Sequence, residues 1–354
     1  KVTKQESLIL KEDFKIYYHP IYTSGIDKTS NFPRERYKLL YERLKPYERT
    51  LSIKIKKSEM VNKDYIKKVH DTNYVDNFLN GTLSEKEIRK IGLKPWTNDI
   101  IERTLRITGG SISAMKSAIS CGGFSANMAG GTHHAHKSFG SGFCIFNDIA
   151  ICSSVAIKEL NIKNIMVIDL DVHQGDGTAS ILSNDKDILT CSIHCAENYP
   201  AKKARSDLDF PISSGSGDDD YLSTLGRCLN QIDRINFSPD FLLYDAAVDV
   251  HTNDKLGLLN MTSDGLYERD RLVLSHFKTN QVPIATTIGG GYGENQEEVA
   301  QRHEVYRKVP DPRPAPRGPA SRCRRYYSLR TRGRRRRTAA CRAAVCRLSR
   351  PHTP

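Results

Sequence analysis

The sequence lacks any long hydrophobic run, and it lacks closely spaced cysteine pairs. No segment approaches the roughly 18 to 20 apolar residues that a membrane-spanning helix needs, which excludes an integral membrane protein. No signal peptide is visible, although the chain begins with Lys1 and a lost leader stays an alternative. Six cysteines precede residue 310 and none forms a C-x-x-C pair, a pattern typical of reduced intracellular thiols. We therefore expect an intracellular location, cytoplasmic for a bacterial source and nuclear, cytoplasmic or both for a eukaryotic one.

The net charge of +13 is confined to one end of the chain. Residues 310–354 contain 14 Arg, no Lys and a single acid, Asp311. Residues 1–309 contain 40 basic and 40 acidic residues, so their charges cancel. An electrostatic argument for nucleic-acid binding therefore applies to residues 310–354 alone.

Composition changes at the same boundary, from a body rich in Lys, Asn and Ile to a tail rich in Arg, Pro and Ala. Leu329, Val345 and Leu348 are the only aliphatic residues larger than Ala in the tail, too few for a core. One interpretation is a disordered segment that binds nucleic acid or directs nuclear import through Arg332–Arg337. The other, which the switch from Lys to Arg favours, is out-of-frame or read-through sequence foreign to the protein. We thus divide the chain into a folded body, 1–309, and a tail, 310–354.

Short Val-, Ile- and Leu-rich runs alternate with helical patterns through the body. The runs predict buried parallel strands at 164–170, 187–194, 241–247 and 283–288. Helices are predicted over Asp99–Ile119, Asp148–Leu160 and Asp219–Asp233. Asn147 or Asp148 can cap the second of these helices. The alternation predicts an α/β fold, a three-layer α/β/α domain around a mainly parallel sheet.

Polar residues cluster directly after these predicted strands. The segment DVHQGDG follows the first strand, VDVHTND the third and GGGYG the fourth. In a parallel α/β sheet, ligands bind just beyond the carboxyl ends of the strands. A separate glycine-rich segment, AGGTHHAHKSFGSGFCIFND, adds three histidines, among them His133 and His134. These segments are the candidates for a functional site.

Asp171 and His173 stand two apart at a predicted strand end, so their side chains are expected to project to the same side. Asp249, from a neighbouring strand, can complete a set of two carboxylates and one imidazole. That set suits Zn²⁺ or Fe²⁺ with positions left open for water and substrate. The alternative is an ordinary loop with helix caps, but the adjoining Gly-Asp-Gly and the second acid favour the metal site.

His133 and His134 are adjacent and point in different directions, which disfavours a simple metal-binding pair. As acid–base residues each needs a partner that fixes its tautomer, and Asp169 and Asp176 are available. Two buried structural histidines are the alternative. Gly289–Gly291 is not followed by Lys-Ser/Thr, which disfavours a phosphate loop and favours close approach of the backbone to a substrate.

These segments, together with TCSIHCAENYP and SDLDF, occur in the order and rough spacing of the histone deacetylase family. The chain resembles that family from about Tyr17 to Arg307, and the early segments YHPIY, FPRERYKLL and VHDTNYVDNFLNGTL look most like class IV and related bacterial members. The resemblance implies the arginase–deacetylase fold and makes 1–309 a zinc-dependent deacetylase catalytic domain. It also implies hydrolysis of the amide of an N6-acyl-lysine, which releases lysine and a carboxylate.

Two alternatives to this function stay open. Within the same chemistry, the substrate can be an acetylpolyamine or another small amide. Outside it, the chain can be an inactive module that binds acyl-lysine or nucleic acid. The resemblance favours an acyl-lysine protein or peptide as the partner, with histones as one candidate. It implies no membrane partner, and nucleic acid only through the tail if that tail is genuine.

Position by position, the resemblance implies one catalytic zinc ion held by Asp171, His173 and Asp249. It makes His134 the general base and acid and His133 its electrostatic partner. The site would then combine metal and acid–base chemistry.

Further roles carry over in the same way. Asp176 and Asp169 would orient His134 and His133 respectively, and Tyr292 would polarise the scissile carbonyl. The implied substrate contacts come from one tunnel-wall aromatic and three glycines: Phe143, Gly142, Gly290 and Gly291. The second tunnel wall has no clear match in ENYPAKKARSDLDF, which leaves the acyl-chain preference open. A structural potassium ion is also implied, bound largely through backbone oxygens near Asp169, Asp171, His173, Ser192 and Ile193.

Overall fold

The computed structural model describes residues 14–49 and 53–304. The tail and the boundary that we placed before it lie outside the described residues, so that division of the chain stays a prediction. The described part is built around one sheet of eight strands.

Every pair of neighbouring strands in this sheet is parallel. The strands are β1 (Phe14–Tyr18), β2 (Ile53–Lys57), β3 (Phe124–Asn127), β4 (Ile165–Asp169), β5 (Ile188–Cys195), β6 (Leu208–Ile212), β7 (Phe241–Asp245) and β8 (Ile284–Thr287). Their order across the sheet is β2-β1-β3-β8-β7-β4-β5-β6. Because all strands run in the same direction, their carboxyl ends lie along one edge of the sheet.

Helices connect the strands. In the described part they are α1 (Arg36–Leu44), α2 (Lys63–Lys67), α3 (Thr72–Leu79), α4 (Glu85–Ile91), α5 (Ile100–Cys121), α6 (Asp148–Leu160), α7 (Asp176–Leu182), α8 (Asp218–Ile232), α9 (Ser263–Thr279) and α10 (Gln296–Arg302). None of these helices combines the length and the hydrophobicity that a membrane span needs.

The helices flank the sheet in a three-layer α/β/α arrangement. Every residue of β4 and β7 is buried, as expected for strands covered on both faces. The long helix α5 packs against β1, β3 and β8, and α6 packs against α5. Helix α8 packs against β6 and α9. Each fully buried aliphatic side chain in these strands contributes about 1.5–3 kcal/mol to folding.

The four predicted strands and three predicted helices are confirmed to within two residues at each end. Asn147 is the cap of α6, since its side chain accepts a hydrogen bond from the Ala150 N–H at 2.9 Å. Four strands were not predicted: β1, β2, β3 and β6. Strands β2 (IKIKK) and β6 (LDFPI) are the two edge strands, and exposed charges and Pro211 interrupt their apolar pattern.

Candidate active site

Four loops meet at the carboxyl ends of the central strands. Strand β4 ends at Asp169, β7 at Asp245 and β8 at Thr287, and the sheet register places Asp245 beside both of the others. The loops that follow these strands carry the polar residues singled out from the sequence, and the histidine-rich segment follows β3. Neighbouring parallel strands therefore bring the predicted segments to one edge, as the sequence analysis expected.

The three predicted metal ligands converge in this region. His173 Nδ1 lies 3.0 Å from Asp171 Oδ1 and 3.3 Å from Asp249 Oδ2. All three side chains are buried, and one ligand atom from each lies within 4.8 Å of the others. The reason differs from the expected one, because β4 ends before Asp171. The side chains meet in a loop where the His173 N–H donates to Asp171 Oδ1 at 2.9 Å.

The electrostatics of this trio fit a divalent cation. Asp249 Oδ2 is buried and accepts no hydrogen bond from any residue in 14–49 or 53–304. Burial and the charge of Asp171 raise the pKa of Asp249 to about 8. Burial lowers the pKa of His173, but its contacts with the two carboxylates raise it to about 10. Two carboxylates and one imidazole are a donor set that zinc accepts.

Gly290 leaves the space that such an ion requires. A Cβ atom added at this position would collide with Asp249 Oδ2 and would lie 2.6 Å from Asp171 Oδ2. The Gly290 N–H also donates to Asp171 Oδ2 at 2.9 Å, so the backbone approaches the trio directly. The sequence prediction of close backbone approach therefore has a structural counterpart at this glycine.

His133 and Asp169 form what we call the inner pair. His133 Nδ1 donates to Asp169 Oδ2 at 2.7 Å, and Asp169 Oδ1 accepts the Asp171 N–H at 3.1 Å. Burial lowers the pKa of His133, but the charges of Asp169 and Asp171 raise it well above its usual value. The inner imidazole therefore carries a positive charge at neutral pH.

His134 and Asp176 form the outer pair. His134 Nδ1 donates to Asp176 Oδ1 at 2.7 Å, and His136 Nε2 lies 3.1 Å from Asp176 Oδ2. Burial and the charge of the adjacent His133 lower the pKa of His134 to about 4. The outer imidazole is therefore neutral at neutral pH. With Nδ1 protonated, its lone pair is on Nε2.

The loop that carries these histidines is anchored at two places. Before the histidines, Asp148 Oδ1 accepts the Thr132 N–H at 2.8 Å and Asp148 Oδ2 accepts the Gly131 N–H at 3.2 Å. After them, His70 Nδ1 donates to the His136 carbonyl at 2.9 Å. His70 Nε2 accepts the Asn147 N–H at 2.9 Å. Helix α6 and the segment before α3 thus fix the loop from both sides.

Tyr292 is fixed through its backbone. The Tyr292 N–H donates to Asp254 Oδ2 at 2.6 Å. Its ring packs beside Phe32 and Phe143, with centroid distances of 6.4 and 5.5 Å. Burial raises the pKa of Tyr292 well above its usual value, so the hydroxyl stays protonated and can donate a hydrogen bond. The sequence analysis singled out the segment VDVHTND, which contains Asp254, but did not predict Asp254 itself as a site residue.

Aromatic side chains flank the approach to His134. Gly142 packs so closely on this histidine that an added Cβ would lie 2.5 Å from His134 Cδ2, and Phe143 follows with a positive φ of 67°. Tyr199 lies edge-on to His134 with a centroid distance of 4.9 Å and is 45% exposed. The tunnel wall that sequence analysis left unassigned therefore has a candidate in Tyr199. A single Tyr in a loop carries no pattern that would have marked it.

A cavity of about 40 Å³ lies beside His133 and Tyr292. Two buried arginines line it, and neither forms an ion pair with an acid in the described part of the chain. The Arg36 guanidinium donates to the carbonyls of Gly291 and Gly289 at 2.8 and 3.0 Å, and Arg103 Nε donates to the Tyr22 carbonyl at 3.0 Å. Sequence analysis did not find this pair, because Arg36 and Arg103 stand among other charged residues, in FPRERYKLL and IIERTLRI, and nothing in their spacing distinguishes them.

The structure shows the positions of Gly291, Ser192 and Ile193 but gives no contact that would establish their predicted roles. Gly291 faces the core, since an added Cβ would lie 2.8 Å from His303, and only its carbonyl turns to Arg36. Ser192 is beside Asp169 in the sheet register, and Ile193 is fully buried. The potassium site that these residues suggest stays a prediction.

Asp245 is an acid that sequence analysis missed. It lies at the end of β7 beside Asp169 and close enough to His133 and Asp169 to form a second group of metal-ligand atoms. Burial and the charge of Asp169 raise its pKa well above the usual value. Its position inside the run FLLYDAA made it look like part of a core strand; the only available signal was an acid within an apolar segment.

Comparison with known proteins agrees with this arrangement. Residues 30–306 match the family model described as the histone deacetylase domain. The chain is 40% identical over 296 residues to an uncharacterized protein of Picosynechococcus, covering 84% of this chain and 98% of that one. It is 32% identical over 241 residues to histone deacetylase 2 of Arabidopsis thaliana, covering 65% of this chain and 61% of the relative.

Two more distant relatives extend the comparison. Acetoin utilization protein AcuC of Staphylococcus aureus is 30% identical over 251 residues, which cover 65% of this chain and 64% of AcuC. A crystal structure of acetylpolyamine aminohydrolase from Burkholderia pseudomallei superimposes with a TM-score of 0.68 at 19% identity, covering 84% of this chain and 98% of that one. At that identity the superposition shows the shared fold.

Fold and site together define an amide-hydrolysing enzyme with the arginase–deacetylase fold. The family match covers most of the chain, and one relative is matched over almost its whole length. The chain belongs to the histone deacetylase family.

Proposed function

We propose that this enzyme hydrolyses the amide of N6-acyl-lysine in a zinc-dependent reaction. The observation that carries the proposal is the placement of Asp171, His173 and Asp249 next to two histidine–carboxylate pairs. Asp171, His173 and Asp249 would hold the ion. When bound, zinc polarises the substrate carbonyl and makes water a stronger nucleophile.

His134 is the proposed general base and acid. Its Nδ1–H is engaged by Asp176, so Nε2 can take a proton from the attacking water. The water oxygen bonds to the carbonyl carbon, and the same Nε2 then returns the proton to the leaving lysine nitrogen as the carbon–nitrogen bond breaks. A base that is neutral at pH 7 suits this sequence, and the low pKa of His134, caused by burial and the charge of His133, keeps it so.

Tyr292 and His133 complete the proposed machinery. The protonated Tyr292 hydroxyl would donate a hydrogen bond to the oxyanion that develops on the carbonyl oxygen. The positive charge on His133 would stabilise the same negative charge from the inner side. Both groups are positioned before substrate arrives, because Asp254 holds the Tyr292 backbone and Asp169 holds the His133 ring.

The surroundings of the inner cavity favour a short acyl group. A volume of about 40 Å³ corresponds to about three water molecules, since one water needs roughly 10–15 Å³. Arg36 and Arg103 line this space, and a long hydrocarbon chain would gain little by packing against two guanidinium groups. The same charges favour a carboxylate, which is the product that forms on this side of the scissile bond.

The charges near the entrance favour a lysine side chain over a polyamine. Lys203 Nζ donates to the carbonyls of Asn198 and Pro200, on either side of Tyr199, at 2.6 and 2.7 Å. Lys90 Nζ lies 3.2 Å from the centroid of the Phe139 ring, close to the outer pair. A substrate with several ammonium groups would be repelled by these lysines, whereas one uncharged acyl-lysine would not.

A substrate panel tests the proposal. The zinc-loaded chain would be assayed with an acetyl-lysine peptide, the same peptide carrying a long acyl chain, and an N-acetylpolyamine, with His134→Ala as the inactive control. We expect kcat/KM to be highest for acetyl-lysine. A higher kcat/KM for the polyamine or the long-chain peptide would contradict the proposed substrate. Absence of turnover on all three would contradict acyl-lysine hydrolysis itself.

A further inference from the structure

The two carboxylates that orient His133 and His134 are held in different ways. In the inner pair, the second oxygen of Asp169 accepts a backbone hydrogen bond, from the Asp171 N–H at 3.1 Å. In the outer pair, the second oxygen of Asp176 lies 3.1 Å from a side-chain nitrogen, His136 Nε2. Both oxygens of each carboxylate are therefore engaged. Only in the outer pair does a side chain provide the second contact.

His136 is itself held in place. Its N–H donates to the Phe139 carbonyl at 2.9 Å, and its own carbonyl accepts the Nδ1–H of His70 at 2.9 Å. Its ring stacks on Phe139 with a centroid distance of 4.5 Å and an interplanar angle of 25°. Since backbone and ring are both fixed, His136 presents Nε2 to Asp176 in a defined geometry.

The three side chains form a line from the buried site towards solvent. The side chains of His134, Asp176 and His136 are 4%, 11% and 20% exposed. Burial raises the pKa of Asp176, but hydrogen bonds from both histidines outweigh it and hold the pKa well below the usual value. Asp176 therefore stays a carboxylate and is a poor carrier of protons between the two rings. Its role in the line is to transmit orientation.

We infer that His136 is a positioning residue for catalysis: by holding Asp176 Oδ2, it fixes the carboxylate that orients His134. The inference rests on the proposed function, in which His134 is the base. His136 does for Asp176 what the Asp171 amide does for Asp169. Its side chain contacts Asp176 and Phe139 and is not part of the metal-ligand trio, so its effect is expected on turnover and not on zinc binding.

Paired substitutions at His136 test the inference in the zinc-loaded full chain. His136→Phe keeps a ring that can stack on Phe139 but removes the contact with Asp176. We expect kcat to fall about 10-fold, the lower end of the range for residues that support catalytic groups, while KM and zinc content stay near wild type. His136→Gln keeps an N–H donor and should recover most of the lost kcat. Wild-type kcat in His136→Phe, or no recovery in His136→Gln, would overturn the inference.

The chain offers a matched control. His276 has a side chain that is 19% exposed, and its Nε2 lies 3.2 Å from Asp233 Oδ1, but it lies on α9 and outside the site. His276→Phe therefore removes a comparable histidine–carboxylate contact and should leave kcat unchanged. A similar loss of kcat in His276→Phe would mean that the His136 effect reflects general destabilisation, and the inference would fail.

A second comparison separates action through Asp176 from a local folding effect. In an Asp176→Asn background, His136→Phe should cause little further loss of kcat, because the carboxylate that it positions is already gone. Additive losses would show that His136 acts by another route.

Proton NMR provides a readout that needs no substrate. The His134 Nδ1–H in a short bond to Asp176 should give a downfield signal that is absent in His134→Ala, broadened or lost in His136→Phe and retained in His136→Gln. An unchanged signal in His136→Phe would overturn the inference. If the wild type fails on the whole substrate panel, the proposed function fails, and the NMR signal still decides whether His136 holds the pair.

Discussion

The inner and outer pairs have the same chemistry and the same 2.7 Å hydrogen bond, yet their imidazoles differ in charge. His133 is surrounded by carboxylates, which raise its pKa despite burial. Burial and the charge of His133 lower the pKa of His134 to about 4. The pairs show that a histidine–carboxylate bond alone does not determine protonation; the charges beyond it do.

The largest effect should follow from removing Asp171, which belongs to the metal-ligand trio and lies next to His133 of the inner pair. Asp171→Ala deletes one of the three proposed zinc ligands and the negative charge next to His133, so we expect loss of zinc and of detectable turnover. Metal analysis and a deacylation assay would measure both. Asp233→Ala serves as the control, because this acid lies at the end of α8 and contacts His276 of α9, outside the site. A full equivalent of zinc in Asp171→Ala would remove this residue from the ligand set.

The outer pair should matter for turnover without affecting the metal. His134→Ala removes the proposed base, and we expect kcat to fall by about 10²–10⁴ with zinc content unchanged. His133→Ala should cost less, because its charge assists the reaction but takes no proton. Parallel measurement of kcat and bound zinc checks both variants. If His133→Ala proved the slower of the two, the assignment of base and electrostatic partner would have to be reversed.

A substitution at Tyr292 tests whether the inner and outer pairs can support turnover without the hydrogen-bond donor that the Tyr292 hydroxyl provides. Tyr292→Phe removes only the hydroxyl, and we expect kcat to fall by roughly 10²–10³, the usual cost of one oxyanion donor. Zinc content and thermal stability should stay at wild-type values. Wild-type kcat in this variant would exclude the hydroxyl from the mechanism.

The smallest effect concerns the anchor of the outer pair, His70. Burial lowers its pKa to about 4, while the unfolded chain keeps a value near 6.5. Below pH 6.5 the unfolded state therefore binds a proton that the folded state does not, and stability falls with pH until about pH 4. Between pH 7 and 5 this loss amounts to about 2 kcal/mol.

His70→Gln isolates that contribution. We expect the variant to be less stable at pH 7 but to lose about 2 kcal/mol less between pH 7 and 5 than the wild type. Urea unfolding of both proteins at the two pH values, with saturating zinc, gives the difference. Equal losses would show that His70 does not titrate as its burial implies.

Much of the fold followed from the sequence, and the missed parts have a common cause. Strands β4, β5, β7 and β8 are apolar because both of their faces are buried, so their pattern is local and readable. Strand β2 joins the sheet through its pairing with β1, and its own sequence, IKIKK, is too rich in lysine to read as a buried strand. Pairing with a distant partner leaves little mark on an edge strand.

The site divides in the same way. The motifs in the sequence marked Asp171, His173, Asp249, His134 and Tyr292 as candidates, because their residue types and spacing are visible in the linear sequence. Tyr199, Asp245 and the two cavity arginines were missed, since each is significant only through neighbours that are far away in the chain.

The sequence by itself determined which chemical groups the protein has and at which strand ends they stand. The tertiary structure decided what those groups can do. It made His134 neutral and His133 charged, and it joined Asp176 to His136 as well as to His134. The physical reason is that desolvation and Coulomb interactions depend on distances between side chains, and those distances exist only after the strands and loops have packed together.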